Sequence, residues 1–118
     1  MARLQSENSG TGIGPTRAAE LVAGGALLVD VREAHEWVAG HAPVAVHIPV
    51  DGVGDGMAGL PRDRQIIVIC RSGRRSAAVT DQLTRSGFDA VNLDGGVAAG
   101  VEAGLPLETD DGGEGRVA

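Results

Sequence analysis

"IIVICRSGRRSAAV" (residues 66–79) decides how this chain folds. Its first four residues are all β-branched, which suits a strand buried on both faces, and the run stops at the only cysteine among 118 residues. After Cys70 come a serine, a glycine and three arginines, which are poor neighbours for a buried structural thiol. A helix-forming stretch, "RSAAVTDQLTRSGF" (75–88), follows, with Ala78, Val79, Leu83 and Phe88 marking an apolar face and Gly87 its end. The order is strand, tight turn, helix, and the cysteine stands on the turn.

Three further apolar runs of strand length lie at 26–31, 44–48 and 90–93. Between them, "RAAELVAGG" (17–25) reads as a helix capped by Thr16 and stopped at Gly24 or Gly25, and "EAHEWVAGH" (33–41) as a second that ends at Gly40. "DGVGDGMAGLPRD" (51–63) reads as loop with one weak helical turn around residues 57–60, and "GGVAAGVEAG" (95–104) as a last short helix. Strands alternating with helices predict an α/β fold, a small parallel central sheet with helices on both faces. Residues 1–12 read as a flexible tail, 13–107 as the domain, and 108–118, "ETDDGGEGRVA", as an acidic, glycine-rich and loose tail.

Composition removes several functions. A net charge of −6, with Trp37 and Phe88 as the only aromatic residues, argues against nucleic-acid binding. No run approaches membrane-spanning length. All ten basic residues are arginine, so a phosphate-loop lysine, a Schiff-base amine and a lysine general base are absent. A lone cysteine makes no internal disulfide and "MARLQSENSG" has no signal-peptide character, so a cytoplasmic, reducing setting is expected. His35, His41 and His47 are spaced by six, share no helix face, and are read as surface or turn residues with no metal site; Trp37 is read as core, and Glu33 and Glu36 as a solvated helix face.

In an α/β sheet, ligands bind where a strand's carboxyl end turns into a helix. Cys70 is there. Backbone N–H groups from Arg71 onward converge above the strand, and the helix amino terminus adds partial positive charge. Such surroundings lower a thiol's pKa from about 8.5 and make it nucleophilic at neutral pH.

These residues resemble the rhodanese-like sulfurtransferases. "CRSGRRS" is similar to that family's active-site loop, "LLVDVREAHEWVAGHAPVAVHIP" to its first-strand motif and "VNLDGGVAAGVEAGLP" to its closing motif, in the family's order from near Ile13 to Leu107. The resemblance implies that Cys70 is the nucleophile that carries a persulfide, that Arg71, Ser72, Gly73, Arg74 and Arg75 form the cradle, and that Ser76, opening the helix, belongs with these substrate-binding residues. It makes Asp30 and Arg32 supports that order the loop, and Gly95 and Gly96 a place of close backbone approach. Arg75 has two readings, toward the pocket or as a brace against Asp30 or another carboxylate. The chain departs from the pattern at Gly100, where a tryptophan is usual, at Val44 in place of a glycine, and at Arg74, which makes the mouth more cationic.

The implied activity moves sulfur from a small anionic donor such as thiosulfate to cyanide, a thiol or a protein thiol, without a cofactor. Two alternatives stand beside it. One is a phosphatase or arsenate reductase, although such enzymes place a bidentate arginine one position further on, where this chain has Ser76. The other is a non-catalytic sulfur carrier or partner-binding module.

Overall fold

A computed structural model describes residues 12–118; apart from Gly12, the segment expected as an N-terminal tail lies outside the described residues. Four strands form one sheet: β1 (Leu27–Asp30), β2 (Val46–His47), β3 (Ile66–Ile69) and β4 (Ala90–Asn92). All pairings are parallel and the spatial order is β2-β1-β3-β4. Because β3 is central, each of Ile66, Ile67, Val68 and Ile69 is buried on one sheet face or the other. Side chains of this size contribute about 1.5–3 kcal/mol each when removed from water. That is why the run has no polar alternation.

The helices divide between the two faces. Val29, Val31, Ile66, Val68 and Cys70 form one core with Val53, Val79, Leu83 and Phe88. These partners come from α3 (Val53–Gly56) and from α4 (Arg74–Arg85) with the turn that follows it. Leu28, Ile67, Ile69 and Leu93 form the other with Ala18 of α1 (Pro15–Ala23) and Val97 of α5 (Gly96–Glu102). Between β1 and β2 lies α2 (Ala34–Ala39), which begins at the carboxyl end of β1. It therefore reaches the end of the sheet where Cys70 stands.

Local chemistry corrects several expectations. α1 starts at Pro15 with Gly14 as its cap instead of Thr16, since proline's fixed φ and missing N–H suit a first helical position. On α4 the inward face is Ser76, Val79, Thr80 and Leu83, and Ala78 is exposed. The 51–63 segment is more ordered than a loop: α3 lies between 3-10 turns at Val50–Gly52 and Met57–Gly59, because Val53, Met57 and Leu60 all find the core. β2 is shorter than the 44–48 run, with Val44 and Val46 exposed at the sheet edge. At Gly100 an added Cβ would lie 2.8 Å from Leu105 Cδ2, so the small residue lets the chain after α5 fold back onto it.

Residues 108–118 are not loose. His41 and Glu108 exchange both backbone hydrogen bonds, at 3.0 and 2.9 Å, and the Arg116 N–H reaches Ala39 O at 2.9 Å. Val117 packs against the α1–α5 core. A Cβ on Gly40 would meet Arg116 N at 2.5 Å, so the two backbones touch because the glycine has no side chain. Polar composition does not register backbone bonds of this kind.

Candidate active site

The turn after β3 is built against the turn that opens α5. Gly73, the residue before α4, has a φ of +103°, and Gly96 a φ of +61°; both conformations favour glycine. A Cβ on Gly96 would lie 2.4 Å from Cys70 O. In place of side chains there are hydrogen bonds: Val97 N–H to Cys70 O at 2.8 Å and Ala98 N–H to Arg71 O at 3.1 Å. The close approach expected of the paired glycines is a direct contact between the two turns.

Within this turn Cys70 is 1% exposed and faces donors. The Gly73 N–H is 3.0 Å from Sγ and the Ser76 hydroxyl 3.2 Å. Burial pushes the thiol pKa up, yet the Ser76 hydroxyl and the N–H groups of Ser76, Gly73 and Ser72 together bring it below the ordinary thiol value. Hydrogen bonding to the anion therefore wins over desolvation. The donors that lower the pKa are uncharged and stand at a helix amino terminus.

The arginines of the loop have separate duties. Arg75 grips Glu36 of α2 through two parallel bonds, Nη1–Oε1 at 2.7 Å and Nη2–Oε2 at 2.9 Å, and so takes the bracing role and not the pocket-facing one. Its partner is Glu36, not Asp30. Arg71 is exposed and donates from Nε to Ala118 O at 3.0 Å. Arg74 is exposed, and among the described residues its guanidinium has no hydrogen-bond or ion-pair partner. Asp30 and Arg32 are buried and pair with each other, with Arg32 Nη2 also donating to Gly40 O at 2.8 Å. The pair fixes the end of α2 through Gly40, while Asp30 itself lies beside Ile69, the residue before Cys70, in the sheet register.

Glu36 was misread from sequence. It is 5% exposed while Glu33 faces solvent; Oε1 also accepts the Glu33 N–H at 3.0 Å, completing a capping box at the start of α2. The Glu-x-x-Glu spacing was the available signal for that box. Asn92 and Asp94 also went unread, and both adjoin the loop: Asn92 Nδ2 donates to Gly73 O and to Asp94 Oδ1. Trp37 is not core; it is half-buried and sandwiched between His41, 3.6 Å between ring centres, and His47, 4.7 Å. Among the described residues no group of three or more His, Cys, Asp or Glu comes together to hold a metal. An apolar groove of about 660 Å³ between α1 and α5 includes no residue of the 70–76 loop.

The Arg75 guanidinium hydrogen-bonded to Glu36 brings the carboxyl from 4.5 down to about 2, against the opposing effect of burial. A carboxylate with a depressed folded pKa stabilises the native state above its unfolded pKa, and that contribution is lost as pH falls toward the folded value. The wild type is therefore expected to lose more thermal stability between pH 4.5 and about 2 than Glu36→Gln does. Melting temperatures followed by circular dichroism across that window test this. Parallel curves for the two proteins would show that the pair is energetically idle.

Residues 15–103 match the family described as Rhodanese-like domain. The Bacillus subtilis protein YtwF is 43% identical over 72 residues, covering 61% of this chain and 70% of its own. A protein of Allochromatium vinosum named Sulfurtransferase is 37% identical over 87 residues, covering 73% and 81%. Among solved structures, the rhodanese-related protein from Thermoplasma volcanium superposes with a TM-score of 0.77 at 30% identity, covering 83% of this chain and 97% of the other.

Proposed function

We propose, from the premise that this chain belongs to the family of rhodanese-like domains, that it is a sulfurtransferase that carries sulfur as a persulfide on Cys70. A relative named for sulfur transfer supports the general activity. The observation that carries the finer reading is the buried Cys70 Sγ, with the Gly73 N–H 3.0 Å and the Ser76 hydroxyl 3.2 Å away. These donors favour an anion on sulfur.

The reaction is a double displacement. The Cys70 thiolate attacks the outer sulfur of thiosulfate; a bond forms between the two sulfurs, the donor's sulfur–sulfur bond breaks, and its electron pair leaves on sulfite. The negative charge of the thiolate reappears on the outer sulfur of the persulfide. An acceptor nucleophile, cyanide or a thiolate, then takes that sulfur and returns Cys70 to a thiolate. Exposed Arg71 and Arg74 put positive charge on the loop that carries Cys70 and favour an anionic donor.

Phosphate chemistry is disfavoured for a geometric reason. A phosphoryl or arsenate group needs a guanidinium aimed at its oxygens, and Glu36 holds the fork of Arg75. Incubation of the full chain with thiosulfate, followed by intact-mass measurement, is the test. Gain of one sulfur, reversed by cyanide, is expected; an unchanged mass, or vanadate-sensitive aryl phosphatase activity dependent on Cys70, overturns the reading.

A further inference from the structure

Ser76 has one hydroxyl proton and two acceptors. Its Oγ lies 3.2 Å from Cys70 Sγ and 2.5 Å from Asn92 Oδ1. The orientation of the Asn92 amide is fixed, because its NH₂ group faces two oxygens, Gly73 O at 3.2 Å and Asp94 Oδ1 at 3.1 Å. Its carbonyl oxygen must therefore face Ser76, and a carbonyl only accepts. Asn92 is 7% exposed, so water offers its oxygen little compensation.

We propose that Asn92 is a positioning residue for Cys70, its carbonyl oxygen competing with Sγ for the one Ser76 hydroxyl proton. In the thiol form the chain is complete: Cys70 S–H donates to Ser76 Oγ, and Ser76 O–H donates to Asn92. In the thiolate form two acceptors compete for one proton, so the full stabilisation by Ser76 is withheld from Sγ. Resting on the persulfide reading, the consequence is directional. Once sulfur is transferred, the charge sits on the outer atom, Ser76 keeps its bond to Asn92, and the competition ends. The arrangement disfavours the bare thiolate relative to the loaded persulfide.

The other charged groups near Cys70 are Arg75 of α4 with its Glu36 partner from α2, the Asp30–Arg32 pair at the end of β1, Arg71 beside the thiol, and Asp94 beyond Asn92. None of these bonds is made by the Asn92 carbonyl oxygen, but the Asn92 NH₂ group bonds Gly73 O and Asp94 Oδ1, so a Ser76→Ala background is what isolates the Ser76 proton. Asn92→Leu keeps the branched shape and removes the acceptor together with the two NH₂ bonds.

The measurement is the pH dependence of Cys70 alkylation by iodoacetamide in the full chain. The midpoint is expected to fall by about one pH unit in Asn92→Leu, and in Asn92→Ala, because the Ser76 proton becomes fully available to the thiolate. In a Ser76→Ala background the same replacements are expected to move nothing. A merely structural Asn92 gives the opposite sign, since a loosened loop withdraws N–H donors and raises the midpoint. A raised or unchanged midpoint in a natively folded variant, or an equal fall without Ser76, overturns the proposal.

The wild type offers a check that needs no Asn92 variant. Its side-chain amide resonance is expected to shift with the Cys70 midpoint, and the shift is expected to vanish in Ser76→Ala; a shift that persists overturns the proposal. Alkylation requires no sulfur donor, so the persulfide reading and the role of Asn92 stand or fall on separate results.

Discussion

Cys70→Ser is expected to abolish sulfur transfer and the gain of mass from thiosulfate while leaving a folded protein. The rate effect is total because a serine hydroxyl does not ionise in this range and does not form a persulfide. The structural effect is small for a different reason. Cys70 is packed in the core beside Val31 and Val79, so it is more than a loop residue. Yet the Gly73 N–H and the Ser76 hydroxyl that met the sulfur are placed to meet an oxygen. With its hydrogen bonds made, a hydroxyl there avoids the about 1–3 kcal/mol that a buried polar group without partners costs. Thermal unfolding and thiosulfate–cyanide turnover check the two halves. A collapse in stability alongside the lost activity would mark Cys70 as structural.

The second large effect is on folding. Arg32→Met is expected to destabilise the protein by about 3–5 kcal/mol, because it leaves the Asp30 carboxylate buried without its cation. Total stability for a domain of this size is about 5–15 kcal/mol, so the variant sits near the edge of folding. The pair is not an ideal one: among the described residues Arg32 Nη1 is buried without a hydrogen-bond partner. Replacing both members, Asp30→Val with Arg32→Met, is therefore expected to recover at least half of the loss. Urea denaturation of the single and double variants tests this. A double variant no better than the single one would show that Arg32 acts through Gly40 and α2 and not through Asp30.

How much of this was legible in the sequence depends on how far apart the partners lie. β3 was plain because four consecutive β-branched residues admit few other readings, and the strand–turn–helix order was plain because a glycine and a helix start follow the cysteine directly. Glu36 was opaque since its partner Arg75 is 39 positions away, and a carboxylate on a short helix looks solvated until the fold is known. Asn92 was hidden by its place at the end of an apolar run, where nothing local reveals that its amide spans Gly73 and Ser76. The C-terminal segment misled by composition, because its attachments are made by main-chain N–H and C=O groups. Trp37 misled by type: large aromatic residues are usually core, and this one is enclosed by two imidazole rings.

The contact of Gly96 with the carbonyls of Cys70 and Arg71 also has a meaning in time. During synthesis Cys70 emerges well before Val97 and Ala98, whose N–H groups hold the carbonyls of its turn. Until α5 docks, the turn lacks the struts that aim its own N–H groups at sulfur, and the thiol lacks the hydrogen bonds that lower its pKa in the folded chain. A partly made chain thus presents an ordinary thiol, without the donors that favour its anion once the domain is folded. The surroundings of the sulfur are completed last, when nearly all of the domain is in place.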